Sequence, residues 1–255
     1  MENFFKKPKQ KLSKVKDLSK NTLIYKMLPH LVMDLLRKYF RLEVFGGEKI
    51  PSNGPVIIAP NHSGFMGFDA LILSYEIFKL TKRIPRVLAH HFWFLTKTTA
   101  VPFQKFGFIQ ASSRNASEVL KKNNLLILFP EGETGNFKPS SKMYVLQDFK
   151  PGVIRLAIQR QCPIIPTLIV GAEESHLNIS QIKFGKLLGN LVLPLPLNLI
   201  PLPVKWRIYF LDALRLPYPP SAADDSVLVN EVTQELREKM QKQLGEILAQ
   251  RKSVF

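Results

Sequence analysis

His62 and Asp69 are the sharpest chemical pair in the sequence. A neutral imidazole takes a proton from a hydroxyl near neutral pH. A carboxylate behind it fixes the tautomer and stabilises the imidazolium that forms. Their separation would be about 10.5 Å along a straight helix, too far for contact. Gly64 and Gly67 lie between them, and glycine permits a tight non-helical turn that folds the two side chains together. The same residues admit a plainer reading, in which Asp69 caps a helix starting at Ala70 and His62 is a polar loop residue.

Other chemistries fare worse. Ser63 adjoins His62 but sits in no G-x-S-x-G elbow, and Cys162 precedes Pro163 at a strand start. His90 and His91 stand among Phe92, Trp93 and Phe94, a context that suits core or surface histidines better than metal ligands. One cysteine excludes an intramolecular disulfide framework and a Cys-based zinc cluster. No P-loop and no G-x-G-x-x-G following a strand is present.

The elements that must position this chemistry alternate between strand and helix. Val56–Ala59, Leu125–Phe129 and Ile164–Val170 read as buried strands, with the internal Pro166 unsettling the start of the third. Ala70–Lys79, Ala116–Asn123 and Val153–Arg160 read as helices, and Lys205–Asp212 as a further strand. A last amphipathic helix after Asp225 carries Val229, Val232, Leu236, Met240 and Leu244 on one side. This alternation predicts an α/β fold with a mostly parallel central sheet flanked by helices. Each of the three strands runs into a polar or glycine-containing segment: Pro60-Asn61-His62-Ser63-Gly64, Pro130-Glu131-Gly132-Glu133-Thr134-Gly135 and Gly171-Ala172-Glu173-Glu174. In an open parallel sheet such segments meet beyond the carboxyl ends of the strands.

Charge narrows the partners. The 255 residues carry 36 Lys+Arg against 20 Asp+Glu, a formal +16. Residues 1–20 hold seven lysines against Glu2 and Asp17, a polybasic arm suited to an anionic membrane surface. Val32, Leu35, Leu36, Tyr39 and Phe40 then recur at helical spacing beside Arg37, Lys38 and Arg41; this face packs on the domain or lies in a membrane interface. Residues 1–45 thus read as a basic arm and amphipathic helical anchor, and 46–255 as the chemical domain. Leu187–Val204 is uncharged, but Pro194, Pro196, Pro201 and Pro203 forbid a straight spanning helix. It reads as an apolar loop over a lipid cleft or into a bilayer surface, or as a buried connector. No secretory signal is visible, and none of the fold signatures of a nucleic-acid binder is found.

Four ordered blocks resemble the glycerolipid acyltransferase superfamily, the lysophosphatidic acid acyltransferase-like enzymes. Asn61-His62 with Asp69 resembles the first, and Phe129-Pro130-Glu131-Gly132 matches the third letter for letter. Cys162-Pro163-Ile164-Ile165-Pro166 resembles the fourth, and Gly107-Phe108-Ile109-Gln110 followed by Arg114 is similar to the second. Two departures stand out. The first block commonly has four residues between His and Asp, where this chain has six. That longer form, with Lys150-Pro151-Gly152 and Gly171-Ala172-Glu173-Glu174, looks more like the branch related to monoacylglycerol and diacylglycerol acyltransferases. The third block often continues Thr-Arg, where this chain has Glu133-Thr134. Either Arg114 or Lys138 replaces the missing cation, or the acceptor carries no phosphate.

The resemblance implies transfer of a fatty acyl group from a thioester, acyl-CoA or acyl carrier protein, to a lipid hydroxyl, without a cofactor or metal. The acceptor it implies is a lysophospholipid such as 1-acyl-glycerol-3-phosphate; the alternatives are a phosphate-free acylglycerol or alcohol, or a non-catalytic lipid-binding role. His62 would be the general base and Asp69 its orienting partner. Backbone N–H groups of the glycine turns would serve the oxyanion. Glu131 and Gly132 would shape the acceptor pocket, and Arg114 would contact a phosphate. The plainer roles are a helix N-terminal carboxylate for Glu131 and a surface residue for Arg114. The expected location is the cytoplasmic face of a membrane, held peripherally.

Overall fold

The aliphatic runs read as strands become fully buried central strands. The structure, a computed structural model, describes residues 28–62, 67–183 and 192–255. The basic arm, Ser63, Gly64 and residues 187–191 of the apolar stretch lie outside the described residues. The chain divides into an N-terminal unit, residues 1–39, and a second unit, residues 40–255. In the first unit, helix α1 (Leu28–Tyr39) leaves Leu31, Val32, Leu35 and Tyr39 exposed and buries Met33. Arg37 and Lys38 occupy its last turn, where cations complement the helix dipole.

The second unit is built on a seven-stranded sheet. In chain order its strands are β1 (Glu43–Phe45), β2 (Val56–Pro60), β3 (Arg86–Ala89), β4 (Phe108–Gln110), β5 (Leu125–Ile127), β6 (Ile164–Val170) and β9 (Arg207–Phe210). Strands β7 (Asn178–Lys183) and β8 (Val192–Pro196) form a separate antiparallel hairpin. The sheet order is β1-β9-β6-β2-β5-β3-β4. The five strands from β6 to β4 are parallel, while β9 runs antiparallel to β6 and carries β1 parallel to itself. Glu43–Phe45, grouped with the arm from sequence, is thus an edge strand of the sheet.

Parallel neighbours need crossover helices. These are α2 (Phe68–Thr81), α3 (Lys97–Lys105), α4 (Ser113–Lys121) and α6 (Gly152–Arg160); the short α5 (Glu133–Asn136) and α7 (Ala172–Ser175) follow β5 and β6, and α8 (Ser226–Ala249) closes the chain. Ile57, Ala59, Leu126, Ile164, Leu168 and Val170 face a core shared with α4, α6 and α8. The alternate residues Val56, Ile58, Leu125 and Ile127, equally buried, belong to the opposite face, as a period of two requires. All five apolar positions read from the sequence of the last helix are buried, and Asp225 caps it by accepting the N–H groups of Val227 and Leu228.

Pro166 does not delay β6, which starts at Ile164. Its carbonyl accepts the Leu211 N–H (2.9 Å), and its missing donor falls where β9 has ended at Phe210. Only one terminal ladder bond is lost. The Leu187–Val204 stretch, read as a loop, contains β8. Pro194 and Pro196 are tolerated there because both strands of a two-stranded hairpin are edges. Among the described residues no helix is long and apolar enough to cross a membrane.

Candidate active site

The topology creates the site before any side chain is considered. From β2 the chain moves towards the β4 edge, whereas from β5 it moves towards the β1 edge. Adjacent strands whose connections depart in opposite directions leave a crevice beyond their carboxyl ends. His62 follows β2 and Glu131 follows β5.

Asn61 anchors the exit from β2. Its Oδ1 accepts the Ile169 N–H (2.7 Å) and its Nδ2–H donates to the Ile169 carbonyl (3.1 Å). An amide supplies the same donor and acceptor as a peptide unit, so the side chain continues the ladder as the main chain leaves it. The next residue is His62, whose Nδ1–H donates to Asp69 Oδ2 across 2.7 Å. The loop achieves what a helix could not. Gly67 takes a left-handed φ of 76° at its end, and α2 begins at Phe68, two residues earlier than the sequence predicts. Asp69 Oδ1 accepts the Ala70 N–H (2.7 Å), but the N-cap is Gly67, so Asp69 is not the cap of a helix starting at Ala70; it is a buried carboxylate in the first turn. The imidazole stacks on Phe129, ring centres 4.0 Å apart, which fixes its plane. With Nδ1 engaged, Nε2 on the far side of the ring is the atom left for a substrate proton.

Glu131 is fully buried and reaches no solvent. Its Oε1 accepts the backbone N–H of His62 (2.9 Å), and Oε2 accepts that of Gln147 (2.7 Å). The carboxylate therefore clamps the histidine loop to the segment after β5. Gly132 has φ 59° and ψ −142°, a conformation open to glycine, and its N–H bonds the Phe129 carbonyl (3.1 Å). Gly135, at the end of the same segment, is needed because a Cβ there would lie 2.5 Å from Glu131 Cβ.

Behind Glu131 lies a buried ionic cluster. Lys138 Nζ is 4.0 Å from Glu131 Oε2 and 2.9 Å from Glu173 Oε1, and it donates to the Val145 carbonyl (3.1 Å). Glu173 Oε2 accepts the Tyr144 N–H (2.8 Å). Burial pushes the Glu173 carboxyl up to about 7 against the opposing pull of Lys138. Lys138, one of two cations proposed from sequence for an acceptor phosphate, is thus enclosed and engaged. Arg114, the other, is exposed on the first turn of α4. That helix follows β4, three strands from β2 and about 14 Å across the sheet.

Among the described residues the cation at the glycine turn is Lys150. Its Nζ lies 2.9 Å from where a Cβ on Gly132 would be, and its backbone N–H donates to the Pro130 carbonyl (2.8 Å). On the same rim His90 Nε2 meets Glu133 Oε1 at 2.7 Å. Burial holds His90 below its ordinary range, outweighing the Glu133 charge, so near neutral pH the contact is an N–H donated to a carboxylate. The sequence offered no reason to pair His90 with Glu133, since their link runs through the β3–β5 register. Cys162 is buried, with its thiol pushed up to about 11 by burial, and forms no nucleophile.

A histidine–carboxylate pair at the switch point of an open α/β sheet is an arrangement able to take a proton from a hydroxyl. Residues 41–170 match the acyltransferase family, and the chain belongs to it. An uncharacterised protein of Mycobacterium tuberculosis is 32% identical over 238 residues, 88% of this chain and 66% of that protein. A human protein named DGAT1/2-independent enzyme synthesizing storage lipids is 26% identical over 210 residues, 81% of this chain and 64% of its own length. The chain therefore spans about two thirds of these relatives. The crystal structure of the 1-acyl-sn-glycerophosphate (LPA) acyltransferase PlsC from Thermotoga maritima aligns with a TM-score of 0.58. The alignment covers 95% of this chain and 91% of PlsC at 15% identity, a shared fold.

Proposed function

We propose that the protein is a membrane-associated O-acyltransferase that moves a fatty acyl group from a thioester to the hydroxyl of a lysophospholipid. The observation that carries this reading is the 2.7 Å contact between His62 and Asp69 at the switch point. Nε2 of His62 takes the acceptor hydroxyl proton as the oxygen attacks the thioester carbonyl. Asp69 stabilises the imidazolium. Collapse of the tetrahedral intermediate breaks the C–S bond, and the imidazolium returns its proton to the departing thiolate. The products are an ester and a free thiol, and no acyl-enzyme is needed. Glu131 acts by holding the His62 backbone, and Lys150 replaces Arg114 and Lys138 as the residue offered to an acceptor phosphate.

One observation favours a second reading, a phosphate-free acylglycerol acceptor. Glu133 places a carboxylate beside the same glycine turn, where an acceptor phosphate would be repelled. The storage-lipid synthesis named for the animal relatives supports that direction.

The test is acyl transfer by purified protein and its His62→Ala variant. A labelled long-chain acyl-CoA is offered with lysophosphatidic acid, other lysophospholipids and monoacylglycerol, and then again as acyl carrier protein. Product from lysophospholipid, lost in the variant, supports the first reading; product from monoacylglycerol alone supports the second. Equal product from both proteins overturns the His62 mechanism.

A further inference from the structure

Asn198 holds a turn that displays aliphatic side chains to solvent. Its Oδ1 accepts the Leu177 N–H (2.9 Å), and its Nδ2–H donates to the carbonyls of Ser175 (2.8 Å) and Ile200 (2.7 Å). The Leu197 N–H bonds the Leu177 carbonyl (2.7 Å) and the Leu202 N–H bonds that of Ser175 (2.8 Å), so both arms of the turn are tied down. On this scaffold Leu197, Leu199 and Ile200 are 66%, 75% and 78% exposed, with Ile179 and Leu195 exposed in the adjoining hairpin. A single exposed leucine is ordinary. Five on one hydrogen-bonded support form a patch that calls for a partner.

The partner is identified by charge and by place. Between Glu174 and Asp212 the sequence contains no acidic residue, and the whole chain carries a formal +16. Apolar side chains on a stretch free of anions, in a chain of net positive charge, complement a bilayer containing acidic phospholipid. The support also rises from the site. Ser175 and His176 come just after β6, and the His176 ring stacks at 6.0 Å on Phe68, the neighbour of Asp69.

We infer that the Leu197–Ile200 turn is a bilayer contact, separate from α1, that inserts Leu197, Leu199 and Ile200 into an anionic phospholipid surface beside the acyl-transfer site. The inference takes from the proposed function only that the acceptor resides in a bilayer. It gives the turn the task of seating the crevice where that acceptor lies.

Vesicle co-sedimentation of the full chain tests this without any turnover. Vesicles of phosphatidylcholine with phosphatidylglycerol are used in high salt, which screens the basic arm and isolates apolar insertion. Leu199→Glu with Ile200→Glu lowers the partition coefficient by about tenfold or more. Leu199→Ser with Ile200→Ser lowers it in the same direction, without added charge and with little reason to unfold. Ile84→Glu with Val227→Glu, at exposed aliphatic positions elsewhere and with the same charge change, leaves it near wild type. Unchanged partition of both turn variants overturns the inference. So does an equal loss in the control pair, or a wild-type chain that does not bind vesicles. Turn variants that keep full vesicle binding but lose a co-purifying protein mark the patch as a protein surface instead. Vesicle binding through the turn by a chain with no acyl-transfer activity would sink the proposed function and leave the membrane contact standing.

Discussion

A histidine becomes a useful base only when its other nitrogen is held, and here that holding is done by a residue seven positions away, brought within 2.7 Å. Asp69→Asn retains the size of the partner but loses its charge, so the imidazolium is no longer stabilised. We expect kcat to fall by about 10²–10⁴-fold with KM for the acceptor little changed, measured by initial rates. Glu131→Gln offers an NH₂ to one of two backbone N–H groups that require acceptors. Its kcat should fall as the His62 loop loses its clamp, while the folded structure survives by circular dichroism. A KM effect without a kcat effect would instead mark Glu131 as a substrate contact.

At the scale of elements, the segment after β5 joins the site to the rest of the domain. Gln147 is held by Glu131, while Gln241 and Arg237 of α8 hold Leu146, so the last helix reaches the histidine loop through one strap. Lys138 is the cation that faces two carboxylates behind that strap. Lys138→Met should cost about 3–5 kcal/mol in urea denaturation, because buried charges are left unpaired. The cost should shrink at acid pH as Glu173, its pKa raised by burial, takes a proton. Glu173 adds a pH dependence of definite sign. Its folded-state pKa is raised, from 4.5 to about 7, so its contribution is fully present below 4.5 and is lost as pH rises through 7. Glu173→Gln removes this loss, and its stability relative to wild type should improve from about pH 5 to pH 8. A flat difference across that range would place the Glu173 pKa outside it.

Over the whole molecule, the balance of charge and exposed apolar surface bears on where the enzyme works. Seven of the 36 basic residues fall in the first 20 positions. Deleting residues 2–20 should weaken binding to anionic vesicles at low salt and flatten its salt dependence, each well-placed lysine contributing about 1 kcal/mol. Binding in high salt should change less, since apolar contacts do not depend on screening. Salt dependence identical to that of the full chain would remove the arm from any role in attachment.

Much of this was legible in the sequence. Three aliphatic runs became β2, β5 and β6 because fully buried parallel strands need continuous apolar side chains, and such runs are visible without a partner. The polar segments after them were legible as a site because a parallel sheet brings carboxyl ends together whatever the strand order. Strands β1 (Glu43–Phe45), β3 (Arg86–Ala89) and β4 (Phe108–Gln110) were not, since a short, partly exposed segment carrying a polar residue shows no continuous apolar run. Hairpin β7–β8 was hidden by prolines that an edge position excuses. The types His62, Asp69, Glu131 and Gly132 were set in the chain, but their contacts were not. That Glu131 grips the backbone of His62, that Lys138 is enclosed while Lys150 stands at the turn, and that His90 meets Glu133 all depend on strand order and on loops tens of residues apart. Local pattern reports what a residue can do and which face it buries; only the tertiary structure decides which charge it meets, because that distance is set by the path of the chain through the sheet.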